Sequence, residues 1–235
     1  MLIEIERNFQ PNKEQMKKLL EGAELVGEGT DVDVYYDFSD YRLHGNKIHF
    51  RARNGIYEMK MHLKERKESL VSVQQEYDSL NKTDIEVIKD TLKLSGNASL
   101  EALIENSITK GILVPFNTIT SHKKKYKKDG VTIVVNKTDT DYEITVVNKT
   151  DTDYEITELE CLLLSEVDID EAIAKIKDMA VSSGMGKEFE GEKVMGKFKE
   201  NLLVKNPELY KKLYEIKENK ELKPTRFEQL WGKRK

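Results

Sequence analysis

The sequence predicts an α+β protein in which a closed antiparallel β-barrel of about eight strands is covered by helices and followed by a helical C-terminal third. Strands along the chain alternate between charged and apolar residues, and the segments between and after them carry helical apolar stripes. A sheet with one solvated polar face would explain any single strand. Several such strands together favour a barrel that turns its charges inward and its apolar residues outward, beneath the helices.

The first strand, Leu2–Phe9, shows this alternation most clearly. Its polar residues Glu4, Glu6 and Asn8 point to one side, and its large apolar residues point to the other. The same acidic spacing returns at Glu158-Leu159-Glu160. Carboxylates two positions apart on a strand lie roughly 7 Å from each other and repel, so a cation is expected in front of them. The two pairs therefore predict a divalent-metal site inside the barrel.

Two further strands, Lys47–Arg53 and Ile56–Leu63, carry basic residues on one face and are joined by the hairpin turn Asn54-Gly55. The segment Lys64–Asp78 is highly charged at its start and is expected to run over the surface. The remaining strands are predicted at Glu24–Glu28, Asp33–Asp37, Ile112–Lys128, Val131–Val135 and Tyr154–Leu164, with a second hairpin turn at Asp129-Gly130.

Helices are predicted from apolar periodicity and from capping signals. Asp168 and Glu171 suggest a capping pair at the start of a helix that Gly184 ends. The other helices are expected after Pro11, over Thr83–Leu92, Leu100–Thr109 and Lys193–Leu203, and from Asn206-Pro207 to about Lys217. A basic tail follows and is expected to be loose, with Trp231 as the residue that could dock on the protein.

One segment is duplicated without change, since Val134–Thr145 is repeated as Val146–Thr157. Units of structural repeat families are longer than this and drift in sequence. If both copies formed strands, the strand with Glu158 would run in the wrong direction beside Val131–Val135, so one copy is expected to be looped out. The even length keeps the orientation of each side chain.

Composition excludes several classes of function. The chain has 235 residues and a mass of 27.2 kDa, enough for a sizeable core, and its net charge of −4 gives no case for general nucleic-acid binding. No apolar run has the length of a membrane span. The single cysteine, Cys161, excludes an internal disulfide and fits the cytoplasm, where we expect a monomer without membrane or nucleic-acid partners.

The inward charges predict the ligand class. Arginines and lysines clustered opposite glutamates suit a polyphosphate bridged to Mg²⁺, with Mn²⁺ as the alternative, because hard carboxylate oxygens favour these ions over zinc. The sequence has no Cys/His zinc cluster, no phosphate-binding glycine-rich loop and no Ser-His-Asp arrangement. The four histidines are expected to be surface or strand residues rather than ligands: His44, His49, His62 and His122.

These residues resemble the triphosphate tunnel metalloenzymes, also called CYTH proteins. Glu4-Ile5-Glu6-Arg7 resembles the opening E-x-E-x-K signature of the family, and Glu158-Leu159-Glu160 is similar to its closing E-x-E. The order of the intervening motifs agrees: Asp33-Val34-Tyr35-Tyr36-Asp37 looks like D-x-Y-Y-D, Phe50-Arg51-Ala52-Arg53 like L-R-x-R, and Tyr57-Glu58-Met59-Lys60 like x-E-L-K. The resemblance extends over about residues 1–217 as one domain and leaves 218–235 as a tail.

The helical C-terminal third looks like that of animal thiamine triphosphatases. Gly196-Lys197-Phe198 and the segment from Asn206 to Leu213 resemble their A-K-L and R-P-x-x-Y-x-x-L motifs. The resemblance implies Mg²⁺-dependent hydrolysis of thiamine triphosphate. It implies metal ligation by Glu4, Glu6, Glu158, Glu160 and Glu76, and phosphate binding and catalysis by Arg51, Arg53, Lys60, Lys123 and Lys197, with Asn8 as a further substrate contact.

Three positions depart from the family pattern. Asn8 stands where the signature has lysine, and Asn136, or Asn148 in the second copy, stands where relatives usually have aspartate. His49 stands where the vertebrate thiamine enzymes have a tryptophan that is expected to stack on the thiamine ring. Inorganic tripolyphosphatase, nucleoside triphosphatase or adenylate cyclase activity, and a catalytically silent phosphate-binding module, are therefore the alternative functions.

Overall fold

In a computed structural model, eight antiparallel strands close into a barrel in the order β1-β5-β4-β3-β2-β6-β7-β8, as the sequence predicts. The structure describes residues 2–63, 71–138, 154–191 and 194–215, so the predicted tail and Trp231 lie outside the described residues. The strands are β1 (Leu2–Phe9), β2 (Glu24–Asp37), β3 (Ile48–Arg53), β4 (Ile56–His62), β5 (Ser72–Asp78), β6 (Val114–Lys128), β7 (Val131–Thr138) and β8 (Tyr154–Leu163).

Helices pack around this barrel, and a 3₁₀ turn, Glu166–Asp168, precedes the longest of them. Within the described part of the chain, no helix is both long and apolar enough to cross a membrane. The helices are α1 (Lys13–Leu20), α2 (Arg42–Gly45), α3 (Lys82–Leu92), α4 (Leu100–Thr109), α5 (Ile169–Ser182), α6 (Gly186–Glu190), α7 (Lys197–Lys205) and α8 (Pro207–Glu215).

The alternation of β1 is confirmed. Ile3, Ile5 and Phe9 are at most 1% exposed and belong to a core cluster that includes Ile176 and Ala180 of α5. Burying each large apolar side chain stabilises the fold by about 1.5–3 kcal/mol, so the outward face of β1 holds the strand against the helical layer. The alternate residues of β1 consequently face the barrel interior.

Both predicted hairpin turns are present. Asn54 and Gly55 between β3 and β4 have φ angles of 49° and 86°, and Asp129 and Gly130 between β6 and β7 have φ angles of 50° and 78°. Two successive positive φ angles define the turn whose twist matches that of the flanking strands. These turns therefore fix the registers Arg51↔Glu58 and Lys123↔Asn136 inside the barrel.

Two strand predictions are wrong. β2 is one continuous strand of 14 residues rather than two short ones, because Gly27 and Gly29 pair with β6 instead of interrupting the ladder. The segment expected to run over the surface contains β5, which pairs with β1 and β4. Its inward residues Ser72, Gln74 and Glu76 include two neutral side chains, so the charge alternation of the other strands is weak here.

The helix predictions are confirmed for α1, α3, α4, α5 and α8 and need correction elsewhere. The short helices α2 and α6 were not expected, and α7 begins at Lys197 rather than near residue 193. The side chain of Asp168 does not cap α5. Instead, Ser165 Oγ accepts a hydrogen bond from Val167 N at 3.2 Å and starts the preceding 3₁₀ turn.

The two copies of the duplicated segment contribute to different strands. β7 takes its residues 134–138 from the first copy, and β8 takes residues 154–157 from the second. The first copy follows Val131 and Ile133, which are 1% and 0% exposed. The residues that precede the same motif in the second copy are Glu143 and Thr145, which would place polar groups at those buried positions. Residues 139–153, which belong to both copies, lie outside the described residues, so the looping-out of one copy stays a prediction.

α7 and α8 pack against the barrel through a third apolar cluster. It joins Tyr35 of β2 and Ile119 of β6 to Phe198 and Leu202 of α7 and Leu213 of α8. Tyr35 also lines the barrel cavity, so these helices rest on side chains at the wall of the interior. The C-terminal helices are therefore part of the structure that encloses the site.

Arg7 ties the chain that leads to α7 onto the outer face of β1. Arg7 is only 2% exposed, and its Nη2 donates hydrogen bonds to the backbone oxygens of Glu188 at 2.9 Å and Gly191 at 3.1 Å. Its guanidinium also lies 5.9 Å from the ring centres of Phe9 and Phe189. Arg7 thus satisfies backbone acceptors at the end of α6, where the helix itself provides no donor.

We predict that Arg7→Met destabilises the protein by about 2–4 kcal/mol, because two charge-assisted hydrogen bonds are lost and two carbonyl groups lose their donor. Urea unfolding followed by circular dichroism measures this change. Arg42→Met is the control: Arg42 lies over Phe38 and pairs with Asp40 at an exposed position, so it should change stability by less than about 1 kcal/mol. Equal stability of the Arg7 and Arg42 variants would contradict the anchoring role.

Candidate functional site

The barrel interior contains a cavity of about 810 Å³ whose wall carries many charged side chains. Every barrel strand sends side chains into it or into the ion pairs at its wall, and residues 194–199 of the α7 segment also line it. The site residues proposed from sequence that line this cavity are Glu4, Glu6, Asn8, Arg51, Arg53, Lys60, Glu76, Lys123, Glu158, Glu160 and Lys197.

Three of the five predicted metal ligands converge. Oxygen atoms of Glu4, Glu6 and Glu160 lie within 4.8 Å of one another, because β1 pairs with β8 in the register Glu6↔Glu160. The other two acids are separate from this group. Glu158 accepts a hydrogen bond from Asn136 Nδ2 at 2.8 Å, and Glu76 forms an ion pair with Lys60 at 2.6 Å. The converging acids are called the acidic cluster below.

Two carboxyl groups of the acidic cluster have raised pKa values. Burial and the charge of Glu4 together raise the pKa of Glu6 to about 8. Burial and the charges of Glu4 and Glu158 likewise raise the pKa of Glu160 well above its usual value. Crowded carboxylates of this kind are hard oxygen donors, and a divalent cation among them would take the place of the protons. The residues present therefore fit Mg²⁺ or Mn²⁺.

Four of the predicted phosphate-binding cations are held by carboxylates around the cavity. Arg51 donates from Nε at 2.8 Å and from Nη2 at 2.6 Å to Glu58 Oε2, and Arg53 donates at 2.7 Å and 3.2 Å to the two oxygens of Asp33. Lys60 pairs with Glu4 as well as with Glu76. Lys123 pairs with Asp31. Each cation is thus oriented by a partner at the cavity wall.

Sequence reasoning missed Asp31 as a site residue and did not assign a role to Asp33 or Glu58. Asp33 is fully buried; burial raises its pKa, but the charges of Arg51 and Arg53 outweigh this and hold the pKa well below its usual value. Asp31-Val32-Asp33 has the same acidic spacing as the two glutamate pairs. That spacing was the available signal, and it marks the acids that orient the cations.

Lys197 differs from the other cations. It is the first residue of α7, is 9% exposed and lines the cavity. Within the described part of the chain, no carboxylate forms an ion pair with it. Asn8, which shares the inward face with Glu6, lies against the neighbouring Gly196, since a Cβ placed on that glycine would be 3.4 Å from Asn8 Nδ2.

Aromatic and imidazole rings form the wall of the cavity near α7. The rings of His49 and Phe198 meet edge to face with centres 4.9 Å apart, and the His49 ring is 5.5 Å from that of His44 and 5.8 Å from that of His62. Burial lowers the pKa of His49 well below its usual value, and the neighbouring histidines add to the shift. The expected surface position is wrong for His44, which is 4% exposed.

The fold and the interior together define a tunnel-type barrel that sets an acidic cluster opposite a group of cations. Residues 2–187 match the family described as the CYTH domain. The chain belongs to this family, the triphosphate tunnel metalloenzymes, whose members are metal-dependent and act on triphosphates.

Solved structures share the fold at low sequence identity. The PH1819 protein of Pyrococcus horikoshii OT3 is 18% identical with a TM-score of 0.51, and the similarity covers 86% of this chain and 98% of that chain. The PH1012 protein of the same organism is 20% identical with a TM-score of 0.50, over 79% and 93% of the two chains. A candidate adenylate cyclase from Vibrio parahaemolyticus is 11% identical with a TM-score of 0.54, over 85% and 97%. No curated protein matches this chain.

The raised pKa of Glu6 predicts how metal and pH act on stability. The unfolded chain releases this proton near pH 4.5, whereas the metal-free folded protein keeps it up to about pH 8. The free energy of unfolding should therefore fall as pH rises through this window, by up to about 1.4 kcal/mol per pH unit for one group. A divalent cation replaces the proton, so Mn²⁺ should stabilise the protein more at pH 8 than at pH 6.

Thermal unfolding in EDTA and in Mn²⁺ across this pH range measures both effects. Glu6→Gln is the comparison, since an amide cannot titrate, and its stability should depend less on pH and on Mn²⁺. An equal stabilisation by Mn²⁺ at pH 6 and pH 8 in the original protein would contradict the expected exchange of proton for metal.

Proposed function

We propose that this protein hydrolyses the terminal phosphate of a small-molecule triphosphate with the help of a divalent cation. The observation that carries the proposal is the division of one enclosed cavity into an acidic cluster and a group of oriented cations. Burying so many charges costs free energy unless a ligand that carries both positive and negative charge pairs with them. A triphosphate together with a divalent cation is such a ligand.

The cations would bind and orient the phosphates. Arg51 and Arg53 present planar forks that match phosphate oxygens, and Lys60 on β4 and Lys123 on β6 contribute single charges. Their carboxylate partners keep these side chains in place before substrate arrives and so reduce the reorganisation that binding requires. The closed barrel limits the access of bulk water, which strengthens each contact.

Glu4, Glu6 and Glu160 would hold the cation, with Glu158 and Glu76 beside them. Mg²⁺ or Mn²⁺ bound there would supply charge neutralisation for the phosphate oxygens and a lowered pKa for water. The carboxyl groups of Glu6 and Glu160 would give up the protons that they hold in the metal-free protein. We further propose that the protein acts as a monomer in the cytoplasm, on a free small molecule rather than on nucleic acid or a membrane.

Thiamine triphosphate is our leading substrate. The likeness of Gly196-Lys197-Phe198 and of the α8 segment to animal thiamine triphosphatases favours it, and the rings of Tyr35, His49 and Phe198 line the cavity where an organic ring could pack. Inorganic tripolyphosphate is the second candidate. His49 replaces the stacking tryptophan and already packs edge to face against Phe198, which leaves less aromatic surface for a ligand.

A phosphate-release panel separates these substrates. Thiamine triphosphate, tripolyphosphate and ATP are each tested with Mg²⁺, with Mn²⁺ and with EDTA, and we expect release from thiamine triphosphate with metal only. Release from tripolyphosphate alone would move the assignment to the second candidate. Release from none of them under any condition would support a phosphate-binding module instead of an enzyme.

Removal of one acidic ligand should abolish most of the activity. Glu4→Gln and Glu160→Gln each remove a hard oxygen donor, so metal binding should weaken and the activation barrier should rise by several kcal/mol. Glu155→Gln is the matched control, because Glu155 lies on β8 but is exposed on its outer face. Phosphate release and calorimetric titration with Mn²⁺ measure the two effects. Near-normal activity of the Glu4 and Glu160 variants would show that these residues are only structural.

Asn8→Lys should tighten the binding of inorganic pyrophosphate. Asn8 shares the inward face of β1 with Glu4 and Glu6, and a lysine there would add a charge-assisted contact worth roughly 1.5–3 kcal/mol. Competition by pyrophosphate against the hydrolysed substrate measures the change. If the inhibition constant is unchanged or larger and the fold is intact, the existing cations already saturate the phosphates, or Glu158 pairs with the new lysine.

A further inference from the structure

The N-terminus of α7 opens on the barrel cavity. Residues 194–199 line the cavity, and the first hydrogen bond of the helix runs from Glu200 N to the oxygen of Gly196 at 3.1 Å. Gly196 is the N-cap residue and carries no side chain that could accept from the first turn. Among the described residues, no acceptor receives a hydrogen bond from the backbone amides of Lys197, Phe198 and Lys199. These amides carry the partial positive charge of a nine-residue helix.

The side chain at the same place points to an anion. Lys197 is only 9% exposed and lines the cavity, and its ammonium group forms no ion pair within the described part of the chain. Every other cation proposed to bind phosphate has a carboxylate partner. Since no described carboxylate lies within ion-pair distance of this ammonium group, its position favours a ligand that brings negative charge.

The charge of Lys197 acts on neighbouring side chains of the cavity. Burial and the charges of Lys197 and Arg53 together lower the pKa of Lys123 to about 8, against the opposing effect of Asp31. Burial would raise the pKa of Glu158, but the positive charges of Lys197, Lys60 and Lys123 outweigh this and lower it. The ammonium of Lys197 therefore lies close enough to both side chains to act on them. An anion at this place would relieve the repulsion between the cations.

We propose that the first-turn amides of α7 and the ammonium group of Lys197 together form a binding site for one phosphate group of the substrate. The site rests on the proposed function and adds backbone donors to its side-chain cations. A tetrahedral phosphate can accept from two or three amides of a helix N-terminus while it pairs with a lysine. Gly196 suits this arrangement, because a capping side chain would occupy the amides and would also press on Asn8.

The test replaces Gly196, the N-cap residue of α7, with residues whose side chains can accept hydrogen bonds from the first-turn amides. In Gly196→Asp the new carboxylate caps α7 and adds a negative charge, and in Gly196→Asn a neutral amide oxygen caps it without changing the charge. Gly196→Ala is the reference for both, because it adds the same Cβ but no cap. We expect pyrophosphate, measured by calorimetry with Mg²⁺ present, to bind at least tenfold more weakly to the Asp variant and at least threefold more weakly to the Asn variant than to the Ala variant. Thermal stability of both capped variants should be equal to or higher than that of the Ala variant.

Asn206→Asp is the matched control for charge. Asn206 is the exposed residue before α8, where its Oδ1 already accepts from Leu209 N at 3.0 Å, so the change adds a carboxylate to a neighbouring helix cap outside the cavity. Its affinity for pyrophosphate should stay within twofold of that of the original protein. A loss as large as that of Gly196→Asp would show that the effect is general repulsion.

The outcomes separate this inference from the proposed function. If pyrophosphate binds and triphosphate is hydrolysed, but Gly196→Asn binds as well as Gly196→Ala, the amides take no part and the inference fails alone. If neither pyrophosphate nor tripolyphosphate binds to the original protein with any metal, the proposed function fails. Amide NMR shifts of residues 197–199 on addition of pyrophosphate provide the direct readout, and their absence would overturn the site even if the capped variants bind weakly.

Discussion

The balance of buried charge inside a closed barrel is the constraint on which this structure depends. Acids and bases from all parts of the chain share one enclosed space, where an unpaired charge costs several kcal/mol. Arg51, Arg53, Lys60 and Lys123 meet this cost by pairing with carboxylates, among them Glu4 of the acidic cluster. The raised pKa values of Glu6 and Glu160 favour the neutral form of these two acids. In the metal-free interior, the carboxyl groups and the cations thus interact with one another or with protons. A ligand that carries both signs of charge would stabilise both kinds of group more strongly.

The apolar residues on the outer face of the barrel make this charged interior possible. Most strands that carry a charge inward carry apolar residues outward, and these residues form the clusters beneath α1, α5 and α6 on one side and α3 and α4 on another. Since the same backbone serves both faces, the strand registers are fixed by apolar burial outside and the charges inside inherit their positions. Glu6 meets Glu160 because Ile5 and Cys161 on the same ladder are buried beneath α5.

The sequence predicted the barrel, both hairpins and the converging glutamates, because each of these depends on local alternation or on turn chemistry. It could not separate Glu158 and Glu76 from the acidic cluster, since that separation depends on which neighbour each carboxylate finds across the strands. Asn136 donates a hydrogen bond to Glu158, and Lys60 forms an ion pair with Glu76. β5 was not predicted because the neutral residues Ser72 and Gln74 weaken its charge alternation. The role of Asp31 was not predicted because its ion-pair partner, Lys123, is distant in sequence.

Pairing of β1 with β8 has a further consequence for how the protein acquires its site. Glu4 and Glu6 come from the first strand of the chain and Glu160 from the last strand of the barrel, so the acidic cluster exists only after the barrel has closed. During synthesis β1 emerges long before its second partner, and such a distant contact forms slowly because a long loop must be ordered first. A cation that needs all three carboxylates would therefore stabilise the barrel only after the two ends of the sheet have met.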